Sequence, residues 1–526
     1  MGFKIVEDRP TPPEVYNWRI YTTGVIIACG AALFGYCASF IGTALKLPGF
    51  TKDFGDFNSA NIISVFQAGA FFGAITGYPS MENFGRKWTL MGTSLLFIVA
   101  CILQVAATGQ IGLMYAGRVI SGFAVGLVTC VCPVYLAELS PPAIRGRLVG
   151  FYECAYQLMS IIAFWLSYGI KENMDTNTTL AWRIPFSIQL IPGGLLFIGC
   201  FFLKESPRYL LKRHRPEEAT ANLCWLRCLP PTHTYIEEEL SATVVQISRE
   251  EAVTAGHQGN SITRYCRGIW SEISRKGIRN RLVIGAFIMV WQNMSGINAL
   301  NYYSPTLFAS LGITDTSLYT GIYGVLKAAA SFVFFAFLVD TWGRRGPLMF
   351  GGVASGLCML YVTVYLGVAD PAAQALTAGG VSHSTKMGGN AAIAFLFLFA
   401  IFFCMGWNGL AWIYPTRIRA ICAAWTAAWQ WIFQFIIARE TPDMVANMGH
   451  AGYGMFAMFT IFNLLAAVFT YFFIPETKGR SLEDMDVIFG AIGPDEDRKK
   501  VLRFEERVED TEAIEEQKVD RPHEVV

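Results

Sequence analysis

Apolar stretches of about 20 residues, the length a helix needs to cross the hydrocarbon core of a bilayer, recur along the whole chain. They lie near 20–42, 60–79, 88–107, 113–136, 148–169 and 184–203, and resume after a polar interval near 281–303, 318–339, 347–367, 391–413, 420–438 and 453–474. The pattern predicts an all-α polytopic membrane protein: roughly twelve transmembrane helices in two six-helix halves, 20–203 and 281–474. Between them, residues 204–280 are rich in Arg, Glu and His and predict a soluble helical insert. Residues 1–19 are polar and lack a small-residue cleavage site, so the first span does not read as a removed signal peptide. The tail after the last span, 475–526, is highly charged beyond 486 and predicts disorder.

Lys and Arg in the short loops set the orientation. Gly85-Arg86-Lys87, Arg145-Gly146-Arg147, Gly343-Arg344-Arg345 and Arg417/Arg419 all follow even-to-odd connections, as does the basic insert, while the opposite loops are nearly free of Arg. Both termini and the insert are therefore expected on the cytoplasmic side. Asn177-Thr-Thr is a glycosylation sequon on an expected outer loop. Composition agrees: of 526 residues 53% are hydrophobic and only 15% charged, against about 25% in soluble domains. The net charge of +1 points to no nucleic-acid partner, and the 13 Cys have neither zinc-site nor disulfide-framework spacing. There is no phosphate-binding glycine loop, no nucleophile–His–acid set and no metal cluster in the pattern, so the reading is a non-enzyme without cofactor or direct ATP drive.

One span departs from the apolar rule. "WQNMSGINALNYYSP", Trp291 to Pro305, carries Gln292, Asn293, Ser295, Asn298, Asn301, Tyr302 and Tyr303. Polar groups inside membrane spans are costly and face a bundle interior or a wet cavity. Amides that donate and accept suit vicinal hydroxyls, and aromatic faces suit the C–H surface of a sugar ring. The alternative is that these amides bond neighbouring helices. The halves also share a motif: "ENFGRK" (Glu82–Lys87) follows span two and "DTWGRR" (Asp340–Arg345) follows span eight. An acid and an arginine so placed can lock helix ends together, and the repetition signals a duplicated transporter.

With "GRVISGFAVG" (Gly117–Gly126), "AELSPPAIRGR" (Ala137–Arg147), "KESPRYL" (Lys204–Leu210) and "PETKGRSLEDMD" (Pro475–Asp486), these motifs resemble, in family order, the sugar porter family of the major facilitator superfamily. "EDRPTPPEVYNWRIY", Glu153, "GVLK" (Gly324–Lys327) and "GWNGLAW" (Gly406–Trp412) make it most similar to the fungal quinate permease branch. The resemblance implies the major facilitator fold and a multi-pass carrier of the plasma membrane. It further implies that Gln292, Asn293 and Asn298 bind substrate hydroxyls and that Tyr302 gates the outer end. Trp412 would stack on the ring, with Gln430 and Trp431 completing the site, although ordinary packing is the competing reading for both tryptophans. The cytoplasmic gate it implies comprises Glu82, Arg86, Glu138, Arg145, Glu205, Arg208, Asp340, Arg344, Arg419 and Glu476.

Four departures from the family pattern shape the expected chemistry. In "LFGYCASF" Cys37 stands where proton-coupled members carry an acid, while the matching Arg118 is present. A buried cysteine stays protonated, which puts the coupling assigned to that place in question. Glu153 replaces the usual Gln of span five. It is a candidate proton carrier, or a partner for Arg118 in a structural ion pair. Lys327 replaces an amide in span eight and suits an acid substrate, unless it merely pairs with Glu153. Finally, "WIYPTRIRA" is about five residues shorter than in relatives and lacks the acid mirroring Glu138, so Arg419 loses its expected partner.

The expectation is a secondary active transporter of a sugar, polyol or sugar acid, with quinate or a uronate favoured. It works by alternating access with proton symport, its partners being the substrate, H+ and membrane lipid. The rivals are an uncoupled hexose or pentose facilitator, a sugar-sensing transceptor and, with no candidate site, a membrane enzyme.

Overall fold

A computed structural model describes residues 11–141, 144–255, 274, 276–313, 315–338, 342–343, 345–371, 374, 382–407 and 419–475. Among these there is no strand. The first half comprises α1 (Trp18–Ala44), the short α2 (Pro48–Phe54), α3 (Ser59–Phe84), α4 (Arg86–Ala106), α5 (Ile111–Leu139), α6 (Arg145–Asn173), α7 (Thr179–Ile188) and α8 (Leu190–Phe202). The insert contributes α9 (Pro207–Lys212), α10 (Pro216–Arg227) and α11 (Thr234–Ala255). The second half comprises α12 (Lys276–Met294), α13 (Ile297–Ser310), α14 (Thr316–Val333, continued by a π-turn over Phe334–Leu338), α15 (Arg345–Ala369), α16 (His383–Gly406), α17 (Arg419–Asn447) and α18 (Tyr453–Phe473).

Nine helices among the described residues are long and apolar enough to cross a membrane, by length and composition. The helices at the expected positions of spans five, eight and eleven, α6, α14 and α17, are those that carry Glu153, Lys327, and Gln430 with Gln434. Ile198, Phe201, Val99, Leu357 and Phe472 stand exposed on the outside, as helices facing lipid require. Trp182, Trp407, Trp431 and Arg118 are fully buried inside.

Two expected spans are not single uniform helices. The sixth begins at Thr179, ahead of the apolar run, and α7 meets α8 at Gln189. Pro192 has no N–H to return to the Ile188 carbonyl, which loosens the turn there. The seventh is broken outright. Gly296 adopts φ +97° between α12 and α13, with the Phe459 ring where a side chain would stand, and Tyr303 leaves helical geometry two residues before Pro305. Interruptions of this kind free backbone polar groups, an arrangement that transporters use to build a site.

Small residues set the closest crossing. Gly69 and Gly73 on α3 lie against the backbone of α5, and Gly122 and Gly126 on α5 against that of α3. A methyl group at any of the four would fall within 2.2 Å of a carbonyl oxygen. This is the small-xxx-small packing of membrane helices, and it presses Phe66 toward Arg118. The two halves meet where α3 packs on α17, α6 on α14 and α1 on α13. The insert docks on the first half: Asn17 caps α1, accepting from Arg19 and Ile20 N–H, and its amide donates to Leu226 O on α10. Arg227, fully buried, binds Glu239 through Nε and Nη2 and Leu139 O through Nη1.

Candidate functional site

Around the break at Gly296 the amides of the polar span join a chain that runs across both halves. Asn293 Nδ2 donates to Met289 O (2.8 Å), and Asn298 Nδ2 donates to Asn293 Oδ1 (2.7 Å). Gln434 Nε2, on α17, reaches both Asn298 Oδ1 (3.2 Å) and the Tyr302 hydroxyl (2.7 Å). The hydroxyl in turn donates to Gln67 on α3 at 3.0 Å, with the Gln67 amide in the orientation that satisfies both groups. Gln292, half-buried, donates to Trp407 O at 3.0 Å. Asn293 and Asn298 thus each donate once and accept once within the protein in this state. A polyol with donor–acceptor pairs on adjacent carbons can take over such bonds group by group.

Beside this chain lies a buried cation. Lys327, 2% exposed, places Nζ 3.1 Å from Asn301 Oδ1. Tyr323 donates to the same oxygen at 3.1 Å. The ammonium also sits over the rings of Tyr156 (5.4 Å) and Tyr323 (5.7 Å), contacts that repay part of the cost of removing it from water. Tyr156 belongs to α6 and Tyr323 to α14, so the charge stands on the seam between halves. Glu153 on α6 is close enough to act electrostatically on it. The Glu153 carboxylate accepts from Gln157 Nε2 at 2.9 Å, and that amide also reaches Ser331 Oγ at 3.1 Å, one turn beyond Lys327 on α14.

Arg118 and Glu153 do not meet as the sequence reading allowed. Arg118, 1% exposed, donates from Nε to Ile62 O (3.3 Å) and lies 4.6 Å from the Phe66 ring centre, while its Nη1 has no hydrogen-bond partner among the described residues. Cys37 is equally buried, and its thiol donates to Gln189 Oε1 at 3.2 Å. Trp431 packs against Phe34 (4.9 Å) and Phe66 (6.2 Å), and its Nε1 donates to Thr129 across the seam. Gln430 is half-buried, and its amide makes no hydrogen bond among the described residues. Trp412 lies outside the described residues.

At the far end of the first half a charge cluster ties four elements. Arg86 bridges Glu82 (3.1 Å) and Glu138 (2.8 Å), Lys212 reaches Glu82 at 2.5 Å, and Ser206 Oγ donates to Glu138 at 2.6 Å. Glu205 accepts from the amides of Arg86, Lys87 and Ser206. Burial pushes its carboxyl above the usual range, and those amides work against the rise. Arg208 donates to Gln246 of the insert. Asp340, Arg344 and Glu476, and the short connection after Trp412, lie outside the described residues, as do the side chains of Arg145 and Arg419. Removing one member of a buried ion cluster strands the others at a cost of roughly 3–5 kcal/mol. Arg86→Ala is therefore expected to lower the thermal unfolding midpoint of the purified protein, and adding Glu138→Gln to restore part of it. An unchanged midpoint in Arg86→Ala would mean that the cluster holds nothing together.

Several of these residues were within reach of the sequence. Gln434 follows Trp431 by three residues, Asn301 follows Asn298 by three, and Gln157 and Ser331 follow Glu153 and Lys327 by four, the spacings that share a helix face. Gln67 carries a fainter signal, an amide in the middle of an apolar span. Lys212 and Ser206 carry none, because the docking of the insert brings them to the cluster.

Comparison with known proteins gives the following. The family model "Sugar (and other) transporter" matches residues 23–489. A protein of Aspergillus fumigatus named "Probable quinate permease" is 42% identical over 511 residues, covering 92% of this chain and 90% of that one. One of the same name from Aspergillus niger is 41% identical over 504 residues, covering 92% and 90%. Among solved structures, the proton:xylose symporter XylE bound to 6-bromo-6-deoxy-D-glucose superposes with TM-score 0.72 at 22% identity, over 89% of this chain and 99% of that one. The inward-open xylose transporter XylE from E. coli superposes at 0.64, with 22% identity and the same coverage.

Proposed function

The chain belongs to the sugar transporter family of the major facilitator superfamily, and on that footing we propose that it carries a polyhydroxylated carboxylate, such as quinate or a uronate, by alternating access with proton symport. The observation that bears most weight is Lys327. An ammonium in a membrane interior is costly unless partnered, and this one is held by a neutral amide and two rings at the seam where a substrate would be gripped from both sides. A substrate carboxylate adds the opposite charge, while Gln292, Asn293, Asn298 and Gln434 supply donors and acceptors for its hydroxyls. The name "Probable quinate permease" carried by relatives at 40–42% identity points the same way.

The halves, 20–203 and 281–474, then rock about the site. The Glu82–Arg86–Glu138 cluster, with Glu205 and Arg208, acts as the cytoplasmic lock of the first half, and Asp340, Arg344, Arg419 and Glu476 as that of the second. Both termini, residues 1–19 and 475–526, and the insert 204–280 face the cytoplasm in this reading, with the protein in the plasma membrane. Proton coupling falls to Glu153, since Cys37 is a thiol bonded to Gln189 and Arg118 has the Phe66 face rather than an acid beside it.

The test is uptake of labelled quinate, galacturonate, glucose and xylose in a transport-null yeast, with and without a protonophore. Acid uptake that exceeds neutral-sugar uptake and collapses with the protonophore is expected. Neutral sugars competing best would overturn the acid reading, and absence of flux from a correctly delivered protein would favour a sensor.

A further inference from the structure

The face opposite the charge cluster carries polar cavities that the substrate reading leaves unused. Helix α1 starts at the insert and runs 27 residues, about 40 Å, so the turn that follows it, with Lys46, lies at the other end of the bundle. Immediately below, α1 and α13 touch backbone to backbone: a methyl group on Gly42 would lie 1.9 Å from Tyr302 O. The two halves are in contact at that level, and Lys46 stands one turn above it.

Two cavities flank Lys46. One, of about 270 Å³, is lined among others by Asp56, Ser59, Tyr303 and Thr306. The other, of about 290 Å³, is lined by Thr43, Ser167 and Lys171 from the first half and Pro305, Thr316 and Ser317 from the second. Clefts for drug-sized ligands run from roughly 300 Å³ upward, so each suits a single hydroxylated ring. The second cavity has two lysines, five hydroxyls (Thr43, Ser167, Thr176, Thr316 and Ser317) and no acid in its lining. In the first, Asp56 opposes an anion.

We propose that the second cavity is an outer docking site in which Lys46 captures the carboxylate of the substrate before the passage opens, with the hydroxyls of Thr43, Ser167, Thr316 and Ser317 receiving its polyol edge. The site rests on the acid-substrate reading above and adds a station to it. Lys46 makes no ion pair among the described residues, so its charge is available to a ligand. Both halves contribute walls, so their separation on opening would dissolve the site and release the ligand inward. Of the other charged groups on the packed elements, Lys171 pairs with Asp315 (3.4 Å), Asp53 accepts from Trp182 Nε1 (2.7 Å) and Lys52 acts on Asp175, while Asp56 lines the neighbouring cavity and Glu172 stands exposed on α6. Lys46 is exposed at this turn, and partial desolvation of its side chain lowers the ammonium toward about 8, so its attraction for an anion is strongest below that pH and fades above it.

The experiment is quinate counterflow in proteoliposomes of the full-length protein, with equal pH on both sides so that proton drive is absent, from pH 6 to 9. Lys46→Gln is expected to raise the apparent KM about fivefold at pH 6.5 with little change in maximal rate. Lys46→Arg should keep the low KM and hold it to pH 9, where the wild-type KM has risen. A wild type that exchanges quinate while Lys46→Gln shows the same KM and pH profile overturns the docking site and leaves the acid-substrate reading intact. A wild type that exchanges neither quinate nor galacturonate overturns both. Lys46→Arg, which keeps the charge, separates loss of the site from a defect in folding.

Discussion

Replacing Lys327 with asparagine is expected to reduce quinate or uronate uptake by about 100-fold or more, with delivery to the membrane unchanged. The reasoning starts from burial. Lys327 is 2% exposed, and Asn301 Oδ1, at 3.1 Å, is neutral. Such an ammonium is under-compensated, and a ligand carboxylate improves its surroundings more than it would improve those of a hydrated lysine. Truncating one partner of a buried charge pair costs roughly 2–5 kcal/mol, which is where the expected loss comes from. Asparagine is shorter but still polar, so it can bond Asn301 and leaves a site suited to an uncharged ring. Neutral hexose or pentose competition should therefore persist or strengthen as acid competition disappears. Competition by quinate, galacturonate and glucose against the preferred substrate, in wild type and Lys327→Asn, reads this directly. If the variant still discriminates in favour of acids, Lys327 is a structural cation and the charge selectivity resides elsewhere.

The second large effect is expected at Glu153, where Gln should stop uphill accumulation while leaving counterflow exchange. Glu153 is tied through Gln157 to Ser331 (2.9 and 3.1 Å), one turn from Lys327 on the facing helix. Its charge is thus felt across the seam by the cation that the substrate would engage. Protonation removes that charge, and glutamine reproduces the protonated state permanently while keeping the contact with Gln157. A carrier fixed in the protonated form can still cycle with substrate on both sides, but it no longer links substrate movement to a proton gradient. Accumulation against a gradient in Glu153→Gln, abolished by a protonophore, would move coupling to another group. Cys37 is the poorest alternative, because its buried thiol already donates to Gln189 and makes no hydrogen bond to Arg118.

Gln292 and Asn298 illustrate why a correct residue list is not yet a site. Their amides stand out in a span that should be apolar, so their presence at mid-membrane depth was legible. Their bonds were not. In this state Asn298 is satisfied by Asn293 and Gln434, and Gln292 by the Trp407 carbonyl, so the amides hold helices together, as the competing reading of the same residues allowed. Lipid-facing side chains and interior ones differ in polarity, and polarity is written in one dimension. Which amide meets which depends on how helices cross, and that depends on close approaches such as Gly69 and Gly73 against Gly122 and Gly126.

What the chain determines by itself is the number and placement of its spans, the repeated acid–arginine motif and the residue types of the binding region. The physical reason is local: about 20 apolar residues in a row, an acid and an arginine at a helix end, or a lysine among hydrophobes each carry a free-energy consequence in lipid whatever surrounds them. Only the tertiary structure decided that the seventh span breaks at Gly296, that Arg118 faces the Phe66 ring and not Glu153, that Lys327 rests on Asn301 from across a turn, and that Lys212 and Ser206 of the insert complete the cluster around Arg86. Each of these depends on residues brought together from 26 to 130 positions apart or on a backbone turn stabilised by a ring from another helix. Hydropathy carries no information about such partners, because the energy of a hydrogen bond belongs to the pair and not to either residue alone.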